Sequence, residues 1–352
     1  MSYEDNIRKV DPYVPGEQPR EIKMIKLNTN ECPYPPAPGI KKILADFPYE
    51  NMRLYPNPEV KPLVKEIADY YGLDEDQVFV GVGSDDVLAT AFLTFFNSKK
   101  PILFPDITYA FYDVWANVYQ IPFEMQPLDE KFNMRKEDYT KPNGGIVLAN
   151  PNAPTGIAVD LSFIEDVLKA NPEVIVIVDE AYIDFGATSA LPLLAKYENL
   201  CVVQTFSKSR ALAGCRVGYA MANAKLITYL NQVKFSINSY TINMPTLAIA
   251  PEAVRDDLYF KEITGKIVTT RERMKTEFKN MGFSFPDSMA NFLFVKHDKI
   301  PADIIFQKLK DEKIYVRYFK KNGLSEYLRI SVGTDQEIDR LIFALKKILK
   351  DS

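Results

Sequence analysis

The strongest constraint on the fold of this sequence is the run VIVIV at residues 174–178, which is followed directly by Asp179. A strand built from five apolar residues presents apolar side chains to both faces of its sheet, so both faces must be covered. Further short, largely apolar runs stand at residues 77–81, 100–104, 145–150 and 199–207, separated by stretches with helical periodicity. This alternation predicts an α/β fold with a mostly parallel sheet.

The pattern changes after about residue 245, which predicts a second, smaller domain. A long helical stretch at about 253–281 is followed by NFLFVK, KIYVRYF and YLRISVG and then by a closing helix. Strands mixed with terminal helices are typical of an α+β unit. We therefore expect a proline-rich N-terminal arm and part of the small domain at 1–44, a large domain at 45–250 and a small α+β domain at 251–352.

Composition excludes several classes of function. The net charge of −4 gives no basic surface for nucleic acid. No apolar run approaches the roughly 20 residues of a membrane helix, and the N-terminus lacks a signal-peptide core, so we expect a soluble cytoplasmic protein that acts on small molecules. The three cysteines are scattered and are expected to be free thiols.

The single histidine, His297, narrows the chemistry further. It lies in VKHDKI, where we expect a solvated turn. One histidine excludes a His-rich metal site, and no metal is expected. No GxSxG motif accompanies it for a serine triad, so proton transfer is left to a lysine, a carboxylate or a tyrosine.

Polar residues follow the predicted strands at the edge where open α/β sheets bind their ligands. The segment GVGS leads into a helix start at Ser84 and Asp85, which suits an anion. The other strand ends supply Asn152 in NPNAPTG, Asp179 and Tyr182 in VDEAY, and Thr205, Ser207, Lys208 and Arg216 in TFSKSRALAGCR. A nicotinamide dinucleotide is the competing ligand, but Asp86 occupies the third glycine position of its G-x-G-x-x-G motif.

Pyridoxal phosphate uses this whole set of groups. Its aldehyde bonds to a lysine, and its ring nitrogen needs a carboxylate. Its phosphate suits a helix N-terminus, hydroxyl groups and an arginine. The order of these residues along the chain therefore predicts a pyridoxal-phosphate site.

The motifs NPNAPTG, VDEAY, TFSKSRALAGCRVGY and YLRISVG resemble those of the aspartate-aminotransferase-like enzymes, the fold-type-I pyridoxal-phosphate-dependent transferases. The resemblance runs from about residue 13 to 345. Within that superfamily PYVPG, LNTNECPYPPAP and RLYPNPE are similar to histidinol-phosphate aminotransferases. The resemblance implies a homodimer with shared active sites.

The resemblance also implies a role for each matching residue. Lys208 would bond the cofactor aldehyde and later carry the proton, and Asp179 would pair with the ring nitrogen. Asn152 and Tyr182 would bond the ring oxygen, and Tyr109 would stack on the ring. The phosphate would be bound by Ser84, Asp85, Thr205, Ser207 and Arg216, with Tyr55 reaching it from the other subunit.

For the substrates, the resemblance places Arg329 on the α-carboxylate of the amino-acid co-substrate and Tyr13 and Arg317 around a substrate phosphate. Two departures from the family pattern stand out. Cys32 replaces the asparagine of many relatives, and Arg210 puts an extra cation close in sequence to Lys208, from which we expect a cation near the cofactor.

The implied reaction is transamination between histidinol phosphate and 2-oxoglutarate, in histidine biosynthesis. An aromatic or broad-range aminotransferase shares every cofactor residue and stays an alternative. So does a pyridoxal-phosphate decarboxylase such as threonine-phosphate decarboxylase, which also acts on a phosphorylated substrate. A non-catalytic binding protein would be expected to have lost Lys208.

Overall fold

The computed structural model describes residues 2–19, 22–321 and 323–350. Its ten α-helices and twelve strands are numbered here in chain order. The helices are α1 Gly39–Ala45, α2 Lys61–Tyr71, α3 Ser84–Phe95, α4 Tyr112–Tyr119, α5 Leu161–Ala170, α6 Ala224–Ile237, α7 Met244–Arg255, α8 Asp257–Asn280, α9 Ala302–Asp311 and α10 Asp335–Lys350. The strands are β1 Ile25–Leu27, β2 Val78–Gly81, β3 Ile102–Pro105, β4 Phe123–Gln126, β5 Gly145–Ala149, β6 Val176–Asp179, β7 Leu200–Thr205, β8 Gly218–Ala222, β9 Phe283–Ser284, β10 Phe292–His297, β11 Ile314–Tyr318 and β12 Leu328–Ser331.

Seven strands form the larger sheet, in the order β2-β8-β7-β6-β5-β3-β4. Strands β7, β6, β5, β3 and β4 are parallel, whereas β8 is antiparallel to both β2 and β7. The sheet is therefore mixed but mostly parallel, as the sequence predicts. The edge strand β4 was missing from the prediction, and its half-exposed side chains explain why it lacks a continuous apolar run.

Both faces of the larger sheet are covered, as the VIVIV run requires. Val176 and Val178 lie in one apolar core with α1, α2, α5 and α7, while Ile177 between them lies in a second core with α3, α4 and α6. Successive residues of a strand point to opposite faces, so each face buries alternate members of the run. This packing makes β6 a rigid support for Asp179 at its end.

The second sheet has five strands in the order β1-β11-β12-β10-β9, with β1 parallel to β11 and the other pairs antiparallel. Its own core includes buried residues of α8, α9 and α10. The division of the chain at residues 44 and 250 stays a prediction. Helices α1 and α7, which contain those positions, both pack on the larger sheet.

The long helical stretch predicted at about 253–281 is confirmed as α8 over residues 257–280, but its start is wrong, because residues 253–255 end α7. The chain forms α7 and α8 with Asp256 between them, whose ψ of 64° is not helical and whose carboxylate accepts a hydrogen bond from the Tyr259 N–H. This is ordinary N-capping, and it starts a new helix. The solvated turn predicted at His297 is also wrong, because His297 ends β10, is half-buried and contacts the Phe283 ring.

None of the helices in the described residues is long and apolar enough to cross a bilayer. The three cysteines carry free thiols, as the sequence predicts.

Candidate active site

The parallel strands β5, β6 and β7 end side by side, and the residues that follow them line one cavity together with the start of α3. In chain order its lining is Ser84, Asp85, Tyr109, Ala149, Pro151, Ala153, Asp179, Ala181, Tyr182, Thr205, Ser207, Lys208 and Arg216. Nine of the predicted cofactor residues are in this set. Residues from five separate segments thus meet because carboxyl ends of adjacent parallel strands share one edge of a sheet.

The start of α3 forms an open cradle for an anion. Gly83 precedes the helix with φ of 84°, and a Cβ on it would lie 2.5 Å from Arg216 Nη2. A Cβ on Gly218 would lie 2.2 Å from the Ser84 nitrogen. Both glycines are therefore required for β8 and Arg216 to approach the helix start this closely.

The side chains around this cradle are suited to bind phosphate. Arg216 Nη2 lies 3.1 Å from Asp85 Oδ2, and the Tyr109 hydroxyl donates to Asp85 Oδ1 at 2.7 Å. Thr205 Oγ1 and Ser207 Oγ are 3.0 Å apart and largely buried. A phosphate monoester is bound well by these groups: the N-terminus of the twelve-residue helix α3, two hydroxyl groups and a guanidinium.

Asp179 is the most buried carboxylate of the cavity, with 5% of its surface exposed. Its Oδ2 accepts a hydrogen bond from the Tyr112 hydroxyl at 2.7 Å, and its Oδ1 accepts one from the Ala181 N–H at 3.2 Å. Burial raises the pKa of Asp179 to about 6 in spite of both bonds. A cationic ring nitrogen beside this carboxylate would be strongly favoured, since it would neutralise a buried charge.

Lys208 extends from the loop after β7 into the cavity. Its Nζ donates to the Thr29 carbonyl oxygen at 3.1 Å and lies 5.6 Å from the centre of the Tyr182 ring. The Tyr182 hydroxyl in turn accepts a hydrogen bond from Asn30 Nδ2 at 3.0 Å. The segment after β1 therefore contacts both groups across the cavity.

The two predicted substrate arginines lie on the second sheet. Arg329 is partly buried and donates from Nη2 to the Asn28 carbonyl oxygen at 3.0 Å, but among the described residues its solvent-inaccessible Nε has no hydrogen-bond partner. Burial lowers the pKa of Arg329 below its ordinary value, so a bound anion would be favourable.

Arg317 binds the N-terminal arm through the carbonyl oxygens of Val14 and Pro15. In the same arm the Tyr13 ring stacks on Phe111 at 4.2 Å and lies 6.5 Å from the ring of Tyr109. The arm thus places Tyr13 beside Tyr109, which lines the cavity, and is itself bound by Arg317 of β11.

Three residues named from the sequence lie elsewhere. Asn152 does not line the cavity, because its Oδ1 accepts from Thr108 Oγ1 at 2.7 Å and its Nδ2 donates to the Ile107 carbonyl. Tyr55 is 79% exposed and stacks on Tyr240 at 4.5 Å.

Arg210, from which an extra cation was expected near the cofactor, does not line the cavity either. It is buried, donates to the Ala253 carbonyl at 2.6 Å and lies 4.3 Å from the centre of the Phe260 ring. The expectation of a cation at the cofactor is therefore wrong, because a backbone carbonyl of α7 and an aromatic ring of α8 hold the guanidinium away from the cavity.

Sequence reasoning missed Tyr112 and Asn30. Tyr112 lies in TYAFYDVW, three residues after Tyr109, and was overlooked because its helix position suggests only packing. Asn30 lies in LNTNEC and has a φ of 56°. Asparagine adopts this left-handed conformation more often than most residues, and this preference was its only sequence signal. Among the described residues, no group of three or more His, Cys, Asp or Glu side chains could hold a metal ion.

The chain resembles known proteins over almost its whole length. The model of the family "Aminotransferase class I and II" matches residues 22–345. A histidinol-phosphate aminotransferase of Lactococcus lactis subsp. cremoris is 49% identical over 351 residues, which cover 100% of this chain and 99% of the relative. The enzyme of the same name from Brachyspira hyodysenteriae is 46% identical, with 99% and 98% covered.

Among solved structures, the histidinol-phosphate aminotransferase of Sinorhizobium meliloti in complex with pyridoxal-5'-phosphate superposes with a TM-score of 0.84. The match covers 93% of this chain and 91% of that one at 24% identity. At that identity the likeness concerns the fold.

Proposed function

The chain belongs to the class I and II aminotransferases, and from that premise we propose that it transfers the amino group of histidinol phosphate to 2-oxoglutarate. The products are imidazole-acetol phosphate and glutamate, and the reaction serves histidine biosynthesis in the cytoplasm. The observation that carries the substrate assignment is full-length identity of 46–49% to enzymes named for this reaction. The placement of Arg317 and Arg329 supports it.

The cofactor is pyridoxal phosphate, and the residues at the cavity fit it. We propose that the backbone N–H groups of Ser84 and Asp85, the hydroxyls of Thr205 and Ser207, and Arg216 bind its phosphate. Asp179 pairs with its ring nitrogen, Tyr109 stacks on its ring, and Tyr182 bonds its ring oxygen. Asn152 can donate a hydrogen bond to that oxygen only after its side-chain amide gives up its bond to Thr108 or to the Ile107 carbonyl. When bound, the protonated ring draws electrons from the substrate carbon that loses its proton.

Lys208 is the residue that moves the proton. Its Nζ would hold the bound cofactor through the aldehyde and, once released as a free amine, would take the proton from the substrate α-carbon. The Thr29 carbonyl oxygen, 3.1 Å from Nζ here, holds the released amine in the cavity. Asp179 remains ionised beside the ring during this transfer.

The arginines bind the charged ends of the substrates. Arg329 takes the α-carboxylate of glutamate, which would supply a negative charge beside a guanidinium whose Nε has no partner among the described residues. Arg317 and Tyr13 take the phosphate of histidinol phosphate, and for this Arg317 exchanges its contacts with the arm carbonyls. Charge-assisted hydrogen bonds of this kind favour anionic substrates over neutral ones.

We also propose a homodimer in which Tyr55 reaches the phosphate site of the other subunit. Large apolar side chains are exposed in two segments, 49–55 and 229–240, and the stacked rings of Tyr55 and Tyr240 join them. Ile237 is 67% exposed and Met52 61% exposed in these segments. Exposed apolar surface of this kind is typical of a protein interface.

The test is a screen of amine donors with the pyridoxal-phosphate-loaded protein and 2-oxoglutarate, following glutamate. We expect kcat/KM for histidinol phosphate to exceed that for phenylalanine or tyrosine at least about tenfold, a difference of ~1.4 kcal/mol. A preference for the aromatic amino acids would replace the proposal with an aromatic aminotransferase. Release of carbon dioxide from threonine phosphate without glutamate formation would replace it with a decarboxylase.

Lys208→Ala tests the catalytic role of the lysine. This variant is expected to lose both glutamate formation and the visible absorbance of the covalently bound cofactor. Lys65→Ala removes a lysine that pairs with Asp69 on the exposed surface of α2, and it should change neither property. Equal behaviour of the two variants would contradict the role of Lys208.

A further inference from the structure

Tyr112 makes the closest side-chain contact to the carboxylate that we assign to the cofactor ring. Its hydroxyl lies 2.7 Å from Asp179 Oδ2, and both side chains are buried. The Ala181 N–H bonds the other oxygen at 3.2 Å. Tyr112 itself does not line the cavity, so it contacts Asp179 from the side that faces the protein interior.

The ring of Tyr112 cannot easily turn away from Asp179. Aromatic rings surround it, with centroids at 5.8 Å for Phe104 and Tyr109, 6.1 Å for Phe92 and 6.2 Å for Trp115. These rings belong to one close-packed core under the larger sheet. A side chain locked by such packing presents its hydroxyl at a constant position.

We propose that Tyr112 is a positioning residue that keeps Asp179 ionised and aimed at the cofactor ring nitrogen. This inference rests on the proposed cofactor site but concerns a residue outside it. The hydroxyl of Tyr112 satisfies one carboxylate oxygen and fixes the plane of the group. The remaining acceptor capacity of Asp179 is then directed into the cavity.

The electrostatics around Asp179 explain why this bond matters. Burial disfavours the ionised carboxylate, and Asp85 acts in the same direction. Tyr112, the Ala181 N–H and Lys208 favour the ionised form, and Tyr112 is the largest of these influences on the pKa of Asp179. Tyr109 and Tyr182 are the other titratable groups that face the Tyr112–Asp179 pair.

Replacing the tyrosine by phenylalanine isolates this effect. Tyr112→Phe keeps the ring in its core and removes only the donor, so Asp179 becomes harder to ionise. The chain offers a matched control in Tyr139, another buried tyrosine, whose hydroxyl has no hydrogen-bond partner among the described residues. Tyr139→Phe therefore removes an equal volume without breaking a bond.

The experiment measures cofactor dissociation constants of the cofactor-free chain between pH 5 and 8. The ligands are pyridoxal phosphate and its 1-deaza analogue, in which carbon replaces the ring nitrogen. For Tyr112→Phe at neutral pH we expect about 10- to 100-fold weaker binding of pyridoxal phosphate, as for loss of a hydrogen bond to a charged group. Binding of the analogue should change less than about threefold. As the pH is lowered, the affinity of Tyr112→Phe for pyridoxal phosphate should begin to fall at a higher pH than that of the wild type, because Asp179 is protonated earlier.

Two results would overturn the inference. One is equal affinity of Tyr112→Phe and Tyr139→Phe for pyridoxal phosphate. The other is an equal loss of affinity for both ligands in Tyr112→Phe, which would mark a packing defect. A wild-type chain that fails to bind pyridoxal phosphate would refute the proposed cofactor site instead, so the two failures are distinguishable.

Discussion

Arg317 and Arg329 are directly opposite each other on the antiparallel strands β11 and β12, although they are separated by a chain reversal. Side chains of a directly opposed pair project from the same face of the sheet, a few ångströms apart. Two like charges at such a distance repel. Burial is the main cause of the lowered pKa of Arg329, and the charge of Arg317 lowers it further. An anion between or beside them would relieve this repulsion, which supports the proposed binding of charged substrates by this pair.

Arg317→Gln is expected to lower the activity with phosphorylated amine donors much more than the activity with unphosphorylated ones. Loss of one charge-assisted contact should lower kcat/KM for histidinol phosphate about 100-fold and that for phenylalanine less than about threefold. Steady-state kinetics with both donors measures this split. The exposed arginine of α10, Arg340, offers a control in Arg340→Gln, which should leave both values unchanged. An equal loss for both donors in Arg317→Gln would argue against a phosphate contact.

Gly218→Ala is expected to damage the proposed phosphate-binding cradle at the start of α3. The new Cβ would meet the Ser84 nitrogen at 2.2 Å, and backbone cannot yield without moving the start of α3. Overpacking of this kind costs about 1–3 kcal/mol of unfolding free energy, and cofactor affinity should fall with it. Thermal unfolding and cofactor titration measure both effects. In Gly214→Ala the added Cβ has no atom within 4 Å, so a comparable loss there would contradict the steric explanation.

Glu180 should make the stability of the cofactor-free chain dependent on pH. It is buried and accepts hydrogen bonds from Ser189 Oγ, the Ala190 N–H and Gln204 Nε2, yet burial raises its pKa to about 7. A raised pKa means that the folded state holds the proton more tightly than the unfolded state. The resulting stabilisation is present below the unfolded pKa of 4.5 and is lost as pH rises through about 7.

Chemical denaturation of wild type and Glu180→Gln between pH 4.5 and 7.5 tests this expectation. Over that range the difference in unfolding free energy should shift in favour of the variant, by an amount on the order of 3 kcal/mol. Asp179 titrates in both proteins, so its contribution cancels. Glu137→Gln, at an exposed position, serves as control. A difference that stays constant with pH would show that folding does not raise the pKa of Glu180.

Ile237→Asp is expected to convert the proposed dimer into a monomer. A carboxylate in the middle of an apolar interface remains unpaired and buried, which is unfavourable by several kcal/mol. Light scattering after size exclusion measures the mass, and cofactor affinity should fall because Tyr55 is lost from the neighbouring site. Phe343→Asp changes an equally exposed apolar residue on α10 and should leave the mass unchanged. A monomeric wild type would refute the shared site.

The larger sheet was predictable because its signal is local. The apolar runs, the helices between them and the polar residues after the strands are all readable along the chain, and the structure places most of those polar residues in one cavity. The edge strand β4 and the break at Asp256 were not predicted, because a half-exposed strand and a capped helix junction interrupt the periodicity only weakly.

Side-chain direction was the less predictable part of the site. Arg210 follows Lys208 by two residues, yet one side chain enters the core and the other enters the cavity. Tyr109 and Tyr112 lie in one aromatic segment, yet Tyr109 binds Asp85 and Tyr112 binds Asp179. Neither difference has a sequence signal, since the partners lie tens of residues away.

The sequence by itself determined the kind of sheet, the edge at which a ligand binds and the chemical groups that gather there, because strand polarity and apolar patterning are local properties. Only the tertiary structure decided which groups touch. The register of β11 with β12 brings Arg317 opposite Arg329, and the packing of α4 brings Tyr112 to Asp179. Such contacts depend on how separately formed elements pack, and packing is settled by the whole core rather than by neighbours along the chain.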